Sequence, residues 1–522
     1  MRGDGRTSRG LLMLWSAAAL LLLAGATSRA LGGPLQDPGP ESGVVQEVDS
    51  VPATGVGAAP ADTQQPTDQI VLGETRADID VPLHQRLLSI FGMVAMLVLA
   101  WAISVDRRVV QWRVVLWGMG LQLVFALFIL KTPVGAAIFA GLNDVILALL
   151  GFTNDGAAFL FGNLVTNTVP VTEPGGGAAR YVAQTGASFA FSVLPTIIFF
   201  SSLMTVLYHI GIMQLAVRGM AWVMMRTMKT SGAETLSAAG NIFVGQTEAP
   251  LLVKPFIEKM TMSELHAIMT GGFATVAGGV MAAYVGMLVA YFPDIAGHLL
   301  AASVMSAPAA LVVAKLMYPE TEEPETATSL SVDVESPDVN VIDAAARGAG
   351  DGLTLALNVG AMLLAFLALI AMLNAILGLV AGWLGLEALL QGWGALAPEQ
   401  GLTLEVLLGW LLAPLAWLMG VPWSDAVQVG SLLGIKTVAN EFVAYLRLQE
   451  ILAGDGLSPR AVVISTYALA GFANFSSIAI QIGGIGGIAP SRRSDLSKVG
   501  LRAMIGGTLA AFLTATIAGI LV

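Results

Sequence analysis

The sequence predicts an all-α polytopic membrane protein, and three observations carry that expectation. Of its 522 residues, 56% are hydrophobic and only 12% are charged. Several windows stay apolar for about 18 residues or more, the length a helix needs to cross a hydrocarbon core of roughly 30 Å. The 59 glycines suit close helix packing and broken helices in lipid. The net charge of −11 argues against nucleic acid as a partner, and much of it sits in two polar segments outside the apolar body. The chain has no cysteine, so disulfides, thiolate metal sites and cysteine nucleophiles are excluded.

Residues 1–30 carry Arg2, Arg6 and Arg9, then "LLMLWSAAALLLLAGA" and "TSRA". That is the shape of a secretory signal peptide, with an uncleaved first transmembrane helix as the alternative. Residues 31–85 are rich in Pro, Gly, Ala and acids. They lack the apolar content to fold and read as a disordered acidic periplasmic spacer. Scaffold helices follow over 86–230. A first span covers about 86–105 and a second about 114–131; Arg107, Arg108 and Arg113 between them put that loop on the cytoplasmic side and residue 86 outside. Residues 133–165 are weakly amphipathic and read as lying along the outer surface. A strong span at about 187–209 precedes "QLAVRGMAWVMMRTMKTS", an interfacial helix with a basic face from Arg218, Arg226 and Lys229.

Residues 231–318 open with "GNIFVGQTEAPLLVKPF", followed by spans near 264–290 and 297–317. Residues 319–351 are acidic and contain Pro, so they read as a loop, with Lys315 and Arg347 as its flanking positive charges. Residues 352–420 hold a span at about 352–378 and an interfacial candidate at about 402–420. Residues 421–522 hold "VPWSDAVQVGSLLGIKTVANEFVAYLRL" and spans near 461–487 and 499–521, with the basic "PSRRSDLSK" between them on the inside. The two polar stretches rhyme. Each has an apolar arm, a glycine, a polar cluster ending in Glu, a second apolar arm and then two spans. The charge pattern has the first entered from the inside and the second from the outside. This is the pattern of an inverted repeat whose interrupted segments mark a binding site.

An acid facing lipid costs roughly 2.5–3.5 kcal/mol on insertion scales, so Glu248 and Glu441 are expected to face protein or water. Gly245 relaxes the backbone limits and Pro250 removes a helical donor. A break at these residues frees carbonyls and amides that only a polar cavity tolerates. Freed carbonyls coordinate cations, and an acid beside an amide hydrogen-bonds a polar solute. The functional reading is a solute and ion site built from two re-entrant hairpins; the plainer alternative is a buried polar network that only joins helices. A third cluster, "GFANFSSIAIQIGGIGG", places Phe472, Asn474 and Ser477 on one short segment, and its counterpart "GGFATVAGGVMAAY" carries Thr275. An aromatic beside an amide and a hydroxyl suits a ring-bearing, hydroxylated ligand, although Phe472 alone fits simple packing equally well. His84, His209, His266 and His298 are scattered without metal spacing, with His266 expected near a membrane interface. Lys254 and Glu258 have the i, i+4 spacing of an ion pair.

"GNIFVGQTEAPLLVKPF", "GIKTVANEFVAYL" and "GFANFSSIAIQIGG", together with "SRRSDLSKVGLRAM" and "TATIAGIL", resemble the concentrative nucleoside transporter family, in its bacterial form, over residues 86–522. The resemblance implies a homotrimer in the inner membrane. Each protomer would have eight transmembrane helices, two re-entrant hairpins and three interfacial helices; the periplasmic N-terminus is expected from the signal-like segment and the charge pattern above. The resemblance also implies that Gln246, Thr247 and Val280 meet the nucleobase, with Phe472 beside it. Glu441, Asn474 and Ser477 would bind the ribose, and Glu248 would act near it through water. In sodium-coupled members a cation sits between the first hairpin tip and the next helix; the matching positions are Asn241 and Thr275 through side chains and Val244 and Val276 through carbonyls. The implied activity is import of nucleosides by sodium symport, with proton coupling through Glu248 or Glu441 as the alternative and a passive channel behind it. Beyond nucleoside, sodium ion and lipid, no cofactor is implied. The signal-like N-terminus with its spacer and the long acidic loop depart from the family pattern. A membrane-embedded hydrolase is disfavoured, since the chain has no HExxH and no GxSxG.

Overall fold

The computed structural model describes residues 81–166, 168–171, 181–184, 189–327, 338–393, 396, 401–454 and 456–522. The signal-like segment, nearly all of the spacer and the middle of the acidic loop lie outside the described residues. Seventeen α-helices are described. Two short strands, Thr168–Val171 and Tyr181–Gln184, pair in a two-stranded sheet; residues 169–171 and 181–184 fall outside the helical unit.

The helical unit begins with α1 (Leu83–Ala102), α2 (Trp112–Lys131) and α3 (Pro133–Phe161). Thr132 caps α3 by accepting from the Gly135 N–H at 3.0 Å, with Pro133 at the first helical position. Within residues 133–165, expected along the surface, Pro133–Phe161 form one continuous helix of 29 residues, long and apolar enough to cross a membrane by length and composition. Next come α4 (Leu194–His209), entered through a π turn at Phe189–Val193, and α5 (Ile212–Met228). The expected interfacial helix is α5. Its Met213, Val217, Ala221, Met224 and Met228 are buried at the three- and four-residue spacing of one helical face.

The first hairpin consists of α6 (Gly232–Gly240), an irregular tip and a 3₁₀ segment, Ala249–Lys259. Ser231 and Glu234 form a capping box at its start, and Thr261 with Glu264 forms another at the start of α7 (Met262–Ala274). Because residues 249–259 are 3₁₀ rather than α, Lys254 and Glu258 do not share a face. Both are exposed, and they are not among the ion pairs of the described residues. Next are α8 (Gly278–Leu288) and α9 (Ile295–Met317). Lys315 is not a free surface charge. It is buried, 2.7 Å from Glu234 and 3.2 Å from Glu320, and donates to Ser263 Oγ at 2.8 Å. That cluster fastens the base of the first hairpin to α7 and α9. His266 is also fully buried, tilted against Tyr318.

Helix α10 (Val341–Trp383) has 43 residues, about 65 Å at 1.5 Å per residue. It starts eleven residues before the span expected at about 352, because Asn340 Oδ1 accepts from the N–H groups of Ile342 and Asp343. Then come α11 (Leu386–Gly392), α12 (Leu404–Leu418), α13 (Trp423–Val438) and α14 (Glu441–Ala453). The axis bends by 117° between α12 and α13. Helices α13 and α14 are the arms of the second hairpin, broken at Ala439 and Asn440. The expected span at 461–487 is two half-helices, α15 (Pro459–Leu469) and α16 (Phe475–Ile488), and α17 (Arg493–Leu521) closes the chain.

Among the described residues, eight helical stretches are long and apolar enough to cross a membrane. Two populations emerge. In α9 and in the α7–α8 stretch 89% of the apolar window is buried, against 6% in α10 and 22% in α1. Since α10 and α1 are apolar yet uncovered by their own chain, their surfaces suit lipid or another apolar partner. The inner helices α7, α8, α9 and α17 form the core against which both hairpins pack.

Candidate functional site

The site forms where both repeats break. In the first, α7 ends at Ala274, Thr275 and Ala277 are extended with Val276 non-helical between them, and α8 begins at Gly278. In the second, α15 ends at Leu469 and α16 begins at Phe475. The two breaks touch. Gly471 has φ +127°, a conformation side chains resist, and a Cβ on it would lie 2.8 Å from the Phe273 carbonyl oxygen and 3.0 Å from Ala274.

Asn474 caps α16. Its Oδ1 accepts from the Ser477 N–H at 2.9 Å and from Ser476 Oγ at 2.7 Å. The amide end is thereby turned outward, and Nδ2 donates to Glu441 Oε2 at 3.0 Å. Glu441 is the first residue of α14, where a carboxylate is favoured by the helix dipole. Its other oxygen, Oε1, accepts from Tyr284 Oη at 2.9 Å. Tyr284 stands one turn beyond Val280 on α8 and stacks on Tyr445, ring centroids 4.4 Å apart. From the first hairpin tip, Gln246 Nε2 donates to Ser477 Oγ at 3.2 Å, and Gln481 Nε2 donates to Gln246 Oε1 at 3.0 Å and to the Met269 carbonyl at 3.2 Å. Gly272 permits this approach, since a Cβ there would sit 2.9 Å from Gln481 Nε2.

A continuous polar chain therefore runs Tyr284–Glu441–Asn474–Ser477–Gln246–Gln481, joining both hairpins and both broken spans. Each carboxylate oxygen of Glu441 has lone pairs left after one bond, so it can still accept from a ligand's hydroxyls. Val280 is buried on α8, Thr247 packs its methyl group against Gly484 of α16, and Phe472 is 9% exposed within the second break. Glu248 stands apart. It folds back on its own tip, accepting from the Gly245 N–H at 3.1 Å, and is exposed.

The four expected cation positions gather beside this chain. Asn241 ends the first arm with its Nδ2 bonded to the Ser237 carbonyl at 3.1 Å. Its Oδ1 is buried without a partner, and its amide lies against Gly271. Thr275 Oγ1 donates to the carbonyl of that same Gly271 at 3.0 Å. The Gly278 N–H binds the Phe243 carbonyl at 3.1 Å, which ties the tip carrying Val244 to the break carrying Val276. Among the described residues no donor reaches the carbonyls of Val244 or Val276. An orphaned amide oxygen, a hydroxyl with free lone pairs and two unclaimed carbonyls are the donor set of a hard monovalent cation, so the residues present fit sodium.

Sequence reasoning missed Tyr284, Gln481 and Lys436. Each left a signal: Tyr284 lies four residues from Val280 on one helical face, Gln481 is an amide inside "IAIQIGG", and Lys436 is a lone charge inside "LLGIKTVAN".

Two interrupted segments from two halves of one chain, meeting at a buried polar site within apolar helices, are the architecture seen in secondary transporters. Residues 91–164 and 298–519 match the models of the N- and C-termini of Na+ dependent nucleoside transporters, and residues 190–291 match a model described as nucleoside recognition. Sodium/nucleoside cotransporter 1 of Rattus norvegicus is 44% identical over 451 residues, covering 84% of this chain and 64% of its own length. An uncharacterized transporter of Haemophilus influenzae is 44% identical over 440 residues, covering 84% of this chain and 98% of its own. Among solved structures, CNTnw in an inward-facing substrate-bound state is 43% identical with a TM-score of 0.73, over 83% of this chain and 97% of that one. A CNTnw variant in an outward-facing state is 42% identical with a TM-score of 0.73, over 84% and 97%. The chain belongs to the concentrative, Na+ dependent nucleoside transporter family, a family of transporters and not of enzymes. It spans 64% of the length of the rat cotransporter it matches.

Proposed function

We propose that this protein imports nucleosides by symport with sodium. The observation that carries the reading is the polar chain from Tyr284 to Gln481, which joins the two repeats around Glu441. In this reading Glu441, Asn474 and Ser477 take the ribose hydroxyls. Gln246 offers both a donor and an acceptor to a base edge, Thr247, Val280 and Phe472 bound the base, and Glu248 acts near the ribose through water. Asn241, Thr275 and the carbonyls of Val244 and Val276 hold the sodium. The cation shares the first hairpin tip with Gln246, so its binding and that of the base order the same segment, which is how coupling arises. The protein works in the inner membrane as a homotrimer, the uncovered apolar surface of α10 offering a face for lipid or a second copy. Its N-terminus is periplasmic; a fluorescent cytoplasmic reporter that stays bright when fused near residue 70 would contradict that orientation.

The deciding experiment is uptake of labelled uridine and adenosine into proteoliposomes with sodium and pH gradients imposed separately. Accumulation against a gradient with sodium outside is the expected result. Uptake that only equilibrates would mark a channel, and accumulation driven by acid outside without sodium would transfer coupling to Glu248 or Glu441.

A further inference from the structure

Each repeat ends a half-helix in the middle of the bundle. The last carbonyls of such a helix lack intrahelical partners, and its dipole gathers roughly half a negative charge at that end. Water would satisfy both at a surface. Inside an apolar bundle, donors or a cation must do so.

The two repeats do this differently. In the second, two hairpin side chains reach the last turn of α15. Tyr445 Oη donates to the Thr466 carbonyl at 2.8 Å, and Lys436 Nζ donates to the Ala468 carbonyl at 2.9 Å. Lys436 comes from the first arm, α13, and is 1% exposed. It is absent from the ion pairs of the described residues; the carboxylate whose charge acts on it is Glu441, five residues on. In the first repeat, the corresponding arm α6 reads "GAETLSAAG" and carries no Lys or Arg, and the tip through Glu248 carries none either. What that repeat presents at the end of α7 is acceptors: the orphaned Asn241 Oδ1, Thr275 Oγ1 and the unclaimed carbonyls of Val244 and Val276.

We propose that Lys436 is a tethered counterpart of the coupling cation: its ammonium supplies to the second broken span the positive charge that a free cation supplies to the first. One half of the transporter waits for its cation and the other carries it on a side chain. Lys436 is then a positioning residue. It touches no ligand, but it holds the end of α15 and with it the break that presents Phe472, Asn474 and Ser477. The comparison with the first repeat rests on the sodium reading above. The requirement for charge at Lys436 does not.

The test uses the purified full-length chain, with uridine binding measured at saturating sodium. Lys436→Met keeps most of the volume and removes the charge; Lys436→Arg keeps the charge; Lys436→Ala opens a space that propylammonium can enter. Lys436→Met should weaken uridine binding at least about tenfold, the scale of a lost charge-assisted bond. Lys436→Arg should stay within about threefold of wild type, and millimolar propylammonium should restore binding to Lys436→Ala. Binding by Lys436→Met within twofold of wild type would overturn the proposal. So would failure of all three variants without rescue, since that pattern marks packing rather than charge. A parallel sodium titration of the wild type keeps the two readings apart: sodium-independent binding would remove the first-repeat cation and the comparison with it, and leave the requirement for charge at Lys436 standing on its own result.

Discussion

Asn474 and Glu441, 33 residues apart, are joined by a 3.0 Å hydrogen bond from Nδ2 to Oε2. The cap that starts α16 and the carboxylate that starts α14 therefore hold each other in place. Glu441 can take no new position without breaking the cap residue's outward bond, so the binding group is preorganised before ligand arrives.

Glu441→Gln should weaken uridine binding at least about tenfold, since bonds to a charged group are worth about 1.5–3 kcal/mol. The new amide must also point its donor at Tyr284 Oη or Asn474 Nδ2, both of which donate to the native carboxylate. Calorimetric titration reads the affinity, and an unchanged melting temperature shows the fold intact. Wild-type affinity in this variant would rule out the ribose assignment.

Tyr284→Phe removes one donor from Glu441 while keeping the ring that stacks on Tyr445. We expect affinity to fall about five- to tenfold, or roughly 1–1.4 kcal/mol, with little change in thermal stability. A double-mutant cycle with Glu441→Gln should be strongly non-additive; additive losses would mean that the two residues act separately.

Gly471→Ala should impair folding and transport together. The residue sits at φ +127° with a backbone oxygen 2.8 Å from any added Cβ; backbone strain alone costs about 1–3 kcal/mol. A lowered melting temperature with reduced uptake per folded protein is the expected pair of results. The same change at Gly483, where a Cβ meets nothing within 4 Å, is the control and should be tolerated.

Asn241→Ala and Thr275→Ala should raise the sodium concentration needed for half-maximal uridine binding by more than they weaken binding at saturating sodium. Each removes an oxygen from the cation set and none from the Glu441 chain. Equal losses at low and saturating sodium would place both residues outside the cation site.

Much of the architecture was legible in the sequence because the signals are local. Apolar length marks a span, and Ser231, Thr261, Asn340 and Asn474 cap helices through bonds two or three residues away. The interrupted segments were visible as glycine and proline beside acid and amide, and Asn474 and Ser477 were correctly placed on one broken span. The 3₁₀ conformation of 249–259 was not legible, because it depends on competition between neighbouring backbone hydrogen-bond patterns that composition does not rank.

By itself the sequence determined that this chain is an apolar helical bundle, where its two repeats break and which polar residues stand at each break. Only the tertiary structure decided which of them meet. Gln246 and Ser477 are 231 residues apart, Tyr284 and Glu441 are 157 apart, and the breaks cross where Gly471 rests on Ala274. The physical reason is that burial in an apolar bundle is nearly indifferent to which helix covers which, whereas a polar atom removed from water must find one particular partner. The fold settles that choice when it brings distant breaks into one place, and Lys315, Lys436 and Tyr284, each ordinary in sequence, acquire their roles from what lies opposite them.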